Sequence, residues 1–370
     1  MAGRESPERK QGYLTTLTTP VIKWGMKYRT LGKTGLKISE VGLGAWQLAG
    51  KPWGWDVPDE NESKRALYKF VELGGNFIDS AWVYGRTDEP GKHTSEELIG
   101  EFVRESGNRD KVIIASKIPP KNRVWPAWKG VSISETFPEQ YIEEMVDSSL
   151  KCFGLDSIDL MQFHVWDDGF AENDEWKKAI QKITRAGKVK HWGLSINDYQ
   201  PSNCLKTLDT GLISTIQLIF NIFHQLPIDR LFPYAKEHNI GLIARVPLDE
   251  GSLTGRLTLD SKFGDDLRPT YFSEERLKSF IPKLEEIEKL MGEEAKGLPE
   301  LALRFILSFD EISVVIPGTR KVKYAEENAA VSDGRKLSTG LMAELKKQAW
   351  ERNFYVSRDP SMEKDGYVEK

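Results

Sequence analysis

Cysteine is scarce in this chain: two residues in 370, Cys152 and Cys204, too far apart for a CxxC pair. That count gives no disulfide framework and no thiolate metal site, and it suits a reducing compartment, so a cytoplasmic setting is expected. Histidine is scarce as well. The five present, His93, His164, His191, His224 and His238, show no HxH or HExxH spacing, which speaks against a zinc enzyme and leaves no metal site to name. No apolar run reaches the ~18 residues of a spanning helix, so no membrane partner is expected. Charge of one sign is lacking too. With 52 basic and 56 acidic residues the formal net charge is −4, and nothing points to nucleic acid or an anionic surface. The hydrophobic fraction of 39% and charged fraction of 29% are those of a globular protein. Residues 1–25 lack periodicity and lack the apolar core of a signal peptide. They read as a flexible extension, and residues 26–370 as a single domain.

What the chain has in abundance is alternation. Short apolar runs lie near 40–45, 76–80, 111–117, 157–164, 189–196, 214–220, 240–248 and 311–317. They are apolar on both faces, as parallel strands covered on both sides must be. Between them lie helical stripes. Leu67, Phe70 and Val71 form one, with Asn61 as the expected N-cap and Gly74 or Gly75 as the stop. Leu98, Ile99, Phe102 and Val103 form the next, then Ile142, Met145, Val146 and Leu150, then Trp176, Ala179, Ile180 and Ile183. This α/β pattern predicts a (β/α)8 TIM barrel. The segment YRTLGKTGLKIS ahead of the first strand predicts a β-hairpin that caps the barrel floor. Two long loops, after strands 3 and 7, fall at the face where barrel enzymes keep their chemistry.

Four ionisable residues stand near strand ends: Asp79 in NFID, Tyr84 in SAWVYG, Lys117 in KVIIASK and His164 in DLMQFH. A barrel would bring them to one mouth. An ammonium beside a phenol lowers its pKa, so Lys117 is expected to activate Tyr84, with Asp79 holding Lys117 charged. His164 can donate a hydrogen bond to a carbonyl oxygen while Tyr84 supplies it a proton. That set suits carbonyl reduction with hydride from a nicotinamide cofactor.

The blocks GLGAW, NFIDSAWVYG, ASK, DLMQFH and GKVKHWGLS resemble, in order and spacing, those of the aldo-keto reductases, a likeness running from Tyr28 to about Asn328. The resemblance implies a barrel, NADPH ahead of NADH, and reversible reduction of an aldehyde or ketone. It makes Asp79, Tyr84, Lys117 and His164 the catalytic tetrad. It places Gly44, Ala45, Trp46 and Asp79 at the cofactor, with Ser195 and Gln217 on the nicotinamide carboxamide. Many members have asparagine directly after that serine; here Ile196 intervenes before Asn197. In RVPLDEGSLTG, Arg245 stands where many relatives carry an aromatic residue, and either stacks on the ring or forms an ordinary salt bridge. Pro247, Leu248, Gly251, Leu253 and Gly255 would follow the pyrophosphate, with amides exposed by the glycines. In IPGTRKVKYAEEN, Gly318 replaces the frequent lysine, as in a PG-type subgroup. Thr319 follows, and Arg320, helped by Lys321 or Lys323, becomes the choice for the ribose 2′-phosphate. Glu327 and Asn328 match the adenine-contacting pair.

Of eleven tryptophans, Trp46, Trp53, Trp55, Trp82, Trp125, Trp128 and Trp166 fall just beyond strands one to four. Clustering on one face predicts an aromatic substrate pocket for a small carbonyl compound, with about half of them serving as loop anchors. Homo-oligomerisation is left open. Fold alone does not fix function. The alternative is a cofactor-binding regulatory or sensor subunit, like a potassium-channel β subunit, with slow or no turnover.

Overall fold

The computed structural model describes residues 25–48, 59–85, 94–127, 130–197, 200–264, 268–350, 352 and 354. The expected N-terminal extension, apart from Gly25, lies outside them. So do Trp53, Trp55 and Trp128.

Two strands, β1 (Tyr28–Thr30) and β2 (Lys37–Ser39), pair antiparallel with Arg29 opposite Ile38. Eight more follow: β3 (Leu43–Gly44), β4 (Phe77–Asp79), β5 (Ile113–Ile118), β6 (Ile158–Phe163), β7 (Val189–Ser195), β8 (Thr215–Ile219), β9 (Gly241–Arg245) and β10 (Ile312–Val315). Each is parallel to its neighbour, in sequence order. The sheet closes where Gly42 N donates to Val315 O at 2.8 Å and Gly44 N to Pro317 O at 3.0 Å. Glycine is required at 44, because a Cβ there would lie 2.8 Å from the Ile316 carbonyl oxygen. The result is the (β/α)8 barrel that the alternation predicts.

The helices follow their apolar stripes, with one altered start. Asp59, not Asn61, caps the helix Glu60–Glu72, its carboxylate accepting from Asn61 N at 2.9 Å and Glu62 N at 3.4 Å. The reason is reach: only a side chain one position before the helix meets its free amides. Thr94 and Glu97 form a reciprocal capping box on Ser95–Ser106. Helices Glu139–Phe153 and Asp174–Arg185 bury Ile142, Val146, Trp176, Ala179, Ile180 and Ile183. An additional helix, Glu274–Met291, goes beyond the expected set. Leu277, Phe280, Leu284 and Ile287 are its buried face, and Pro282 sits within it.

The hairpin plugs the barrel floor. Leu31 and Ile38 join Phe77, Ala115, Leu160, Ile243, Val314 and Ile316 in one interior cluster. Its turn presses on β9: Lys33 N donates to Asn239 O at 2.6 Å, and a Cβ on Gly32 would meet Gly241 N at 2.1 Å. Arg29 ties the hairpin to the end of the circuit, donating to the carbonyls of Leu307, Phe309 and Ile312 at 2.7 to 2.9 Å. Among the described residues the hairpin covers this end of the barrel. Leu31 is fully buried, so Leu31→Ala should destabilise by about 2–5 kcal/mol, read as a lower midpoint in urea unfolding with an unchanged slope. A loss under ~1 kcal/mol would mean that the plug is not part of the cooperative core.

Candidate active site

The strand register sets the site. Gly44 pairs with Asp79, Lys117 with Gln162, and Ser195 with Gln217. The side chains of Asp79, Lys117, Gln162 and Gln217 meet inside the barrel near its C-terminal mouth. Lys117 and Asp79 are 1% and 2% exposed, yet each is matched. Lys117 Nζ donates to Asp79 Oδ2 at 2.5 Å, to Ser80 O at 2.7 Å and to Tyr84 Oη at 3.4 Å, which uses every proton the ammonium has. Asp79 Oδ1 accepts from Gln217 Nε2 at 2.7 Å and Gln162 Nε2 at 3.1 Å. Tyr84 comes from the turn after β4, where Tyr84 N donates to Ala81 O at 3.0 Å and Trp82 N to Lys117 O at 3.2 Å. Its ring lies 5.9 Å from the His164 ring, edge to face. Trp125 meets His164 the same way at 4.7 Å.

Burial sets the protonation states. It pushes the Tyr84 phenol above its ordinary value, while Lys117 and Arg245 pull it back and Asp79 adds to the rise. The expected net lowering by Lys117 is therefore corrected: desolvation outweighs the ammonium, and Tyr84 holds its proton at neutral pH. Burial, then the cations Lys117 and Arg245, hold His164 well below the ordinary histidine range. Its imidazole is neutral, and Nδ1 makes no hydrogen bond.

Asp79, Tyr84, His164 and Arg245 line one cavity of about 1940 Å³, with Lys117 behind it. A single drug-sized ligand needs only ~300–1,000 Å³, so there is room for two reactants side by side. One wall carries Trp46, Trp82, Trp125, Pro119, Tyr141 and Met145. The other carries Ser195, Gln217, Arg245, Leu248, Gly318 and Arg320.

The family model described as "Aldo/keto reductase family" matches residues 40–349. The chain belongs to the aldo/keto reductase family. It is 30% identical over 300 residues to aldo-keto reductase YhdN of Bacillus subtilis, covering 80% of this chain and 86% of that one. It is 27% identical over 336 residues to a probable voltage-gated potassium channel subunit beta of Arabidopsis thaliana, covering 86% and 94%. Among solved structures, glycerol dehydrogenase AKR11B4 from Gluconobacter oxydans superposes with a TM-score of 0.68 at 26% identity, over 88% of this chain and 95% of that one.

In this aldo/keto reductase the positions implied by resemblance fall into two groups. Gly44, Ala45, Trp46, Asp79, Ser195, Gln217, Arg245, Pro247, Leu248, Gly251, Gly318, Arg320, Glu327 and Asn328 all line the cavity. Leu253 does not: it is fully buried in the core, and its amide donates to Leu248 O at 3.1 Å. Gly251 N is likewise spent on Leu248 O, at 2.9 Å, so neither amide is free for a phosphate as expected. The turn satisfies its own donors. Thr319 is buried behind the wall, its hydroxyl linking Pro317 O to Asn328 Nδ2. Gly255 lies outside the lining. Trp46, Trp82 and Trp125 face the cavity, although Trp82 also donates to Ser148 Oγ at 2.8 Å. Trp166 is corrected from pocket to core. It is fully buried, donates to Thr207 Oγ1 at 2.8 Å and packs on Phe163, Phe170 and Trp176 at 5.0 to 5.3 Å. Two residues beyond His164, it has turned under the loop.

Asn197 lies past the end of β7, so strand alternation no longer aims it. It lines the cavity, donates to Ala127 O at 2.6 Å, and its Oδ1 is buried with no hydrogen bond. Gln162 is absent from the residues singled out by sequence, though a glutamine two before His164 in a fully buried strand was the signal. Arg256 likewise lines the cavity, stacked on Tyr324 at 5.8 Å.

Burial lowers His224, on the loop after β8, to about 3, with Arg352 and Arg245 adding to it. The folded value is below the unfolded ~6.5, so the stability tied to the neutral ring is complete above ~6.5 and is lost as pH falls toward the folded value. Wild type should therefore lose unfolding free energy, measured by urea titration between pH 6.5 and 5, more steeply than His224→Gln, by up to about 1.4 kcal/mol per pH unit. Parallel slopes would show that the native ring already carries a proton.

Proposed function

We propose that this protein is an NADPH-dependent reductase of a small aldehyde or ketone, with Tyr84 as the general acid. The observation that carries the reading is the Lys117 ammonium, bonded to Asp79, Ser80 O and Tyr84 Oη behind a cavity that also holds a neutral His164. The residues present fit a nicotinamide. Asn197 Oδ1 is an unfilled buried acceptor, and Gln217, with its nitrogen on Asp79, keeps its oxygen as the acceptor for a carboxamide. Ser195 stands between them at the end of β7. When bound, the reduced nicotinamide supplies hydride.

The side chains do the rest. A neutral imidazole can donate from one nitrogen, and His164 uses it to hold the substrate oxygen against Tyr84. As negative charge develops on that oxygen, Tyr84 gives up its proton, and Lys117 stabilises the phenolate left behind. Burial keeps the phenol protonated at the cost of making it a weaker acid, and the ammonium beside it offsets part of that cost when the proton leaves. The Trp46, Trp82 and Trp125 wall excludes water and favours planar or apolar substrates. Arg320 is the fork of donors offered to a ribose 2′-phosphate. The first helical amide nearby, Val322 N, already bonds Glu62 Oε1 at 3.0 Å, so the discrimination rests on the arginine.

The kinship with a channel β subunit favours a second reading, a cofactor-binding sensor with slow turnover. Steady oxidation of NADPH at 340 nm across a panel of aldehydes separates the two. Tyr84→Phe should cut turnover by about 10² or more while leaving NADPH affinity nearly intact; turnover that survives removes Tyr84 as the acid. Arg320→Ala should weaken NADPH more than NADH in parallel titrations. Equal weakening would take the 2′-phosphate away from Arg320.

A further inference from the structure

The turn after β9 is strained. Val246, Asp249 and Glu250 have φ of 52°, 49° and 54°, and Gly251 follows at 105°. A β-branched residue at positive φ is a true outlier, and such backbone persists only where its surroundings over-determine it. Two anchors do so. From one side Asn221 Nδ2 donates to Val246 O at 3.0 Å. From the other, both oxygens of the buried Asp249 carboxylate are hydrogen-bonded. Oδ2 accepts from Ser252 Oγ at 2.7 Å, within the turn. Oδ1 accepts from Tyr271 Oη at 3.0 Å and from Arg352 Nη2 at 2.5 Å.

Arg352 reaches Asp249 from 103 residues away in sequence, and the two side chains are 2% and 4% exposed. Its guanidinium sits among Trp350, Phe223, Phe280 and Phe354 at 4.6, 5.0, 5.2 and 5.4 Å. Trp350 N donates to Phe223 O at 2.8 Å, so Trp350 is docked on the loop after β8. A buried ion pair is a weak source of net stability, since apolar side chains of the same volume pack as well. What it supplies is direction. The guanidinium, held by aromatic faces and by Nη1 on Trp350 O at 3.4 Å, sets Nη2 against one carboxylate oxygen, and the carboxylate fixes the backbone of the turn. The fixed turn is part of the cavity wall: Val246, Pro247, Leu248, Glu250 and Gly251 line it.

We propose that Arg352 is a positioning residue for the nucleotide. Its ion pair with Asp249 holds the 246–251 turn in the shape that receives the cofactor, and cofactor binding in turn fixes the segment around Arg352. Reciprocity follows because a coupling between two sites acts equally in both directions. The proposal rests on the reading that this cavity takes NADPH.

The test compares wild type, Arg352→Lys and Asp249→Asn by hydrogen exchange and by NADPH titration of tryptophan fluorescence. In both variants residues 246–255 should exchange about tenfold faster without cofactor, the barrel strands should exchange as in wild type, and the NADPH Kd should rise about tenfold, inside the usual range of coupling. In wild type NADPH should slow exchange of residues 347–350, 352 and 354. The proposal is overturned if the turn exchanges as in wild type, if it loosens with Kd within about twofold, or if turn and strands accelerate together. Should both variants fail to fold, Tyr271→Phe removes one hydrogen bond from the same carboxylate and must move turn exchange and Kd in the same direction; no movement overturns the proposal. Wild type that does not take up NADPH sinks the cofactor reading itself, which the variants cannot mimic.

Discussion

The Asp79–Lys117 ion pair is the constraint around which the rest of the site is arranged. Both charges are out of water, where neither would survive alone. Every acceptor and donor on the pair is therefore taken by a fixed partner: two glutamine amides, a main-chain carbonyl and a phenol. Those partners come from β6, β8 and the chain just after β4. Only a closed barrel brings each of them within 3.4 Å of the pair. The same arrangement decides the chemistry offered to the cavity. Desolvation keeps Tyr84 protonated and His164 neutral, while the ammonium behind them stands ready for a negative charge.

The mouth is built in two unlike halves. One is a wall of large aromatic side chains on the loops after β3, β4 and β5. The other is main chain and polar groups on the turns after β7, β9 and β10. Asn197 joins the halves, reaching from beyond β7 to the Ala127 carbonyl on the loop after β5. The polar half depends on backbone that is costly to hold, and the buried Asp249 network holds it. The floor is closed by the hairpin through Leu31 and Ile38, so the two halves share one opening.

Much of this is legible in the residues. Apolar runs of five to nine residues with intervening helical stripes point to the barrel, because a strand covered on both faces has no solvent side to show. Asp79, Tyr84, Lys117 and His164 stand out because an ionisable group at the end of an apolar strand needs a reason to be there. The failures have reasons as well. Trp166 looks like Trp125 in sequence, each a tryptophan in a loop after a strand, and only the path of the loop sends one to the core and the other to the cavity. The lowered phenol expected from Lys117 was a pairwise argument, and burial is a property of the whole enclosure.

By itself the sequence determined what depends on periodicity and on residue type: the strand and helix order, the hairpin, and which ionisable groups the barrel collects. Tertiary structure alone decided what depends on distance between remote segments. Gln162 and Gln217 meeting on one carboxylate oxygen is such a fact, and so is Arg352 meeting Asp249 across 103 residues. Local pattern fixes where a side chain sits along its element. Which desolvated partner it finds is set by how the elements close on one another, and no spacing in the chain records that.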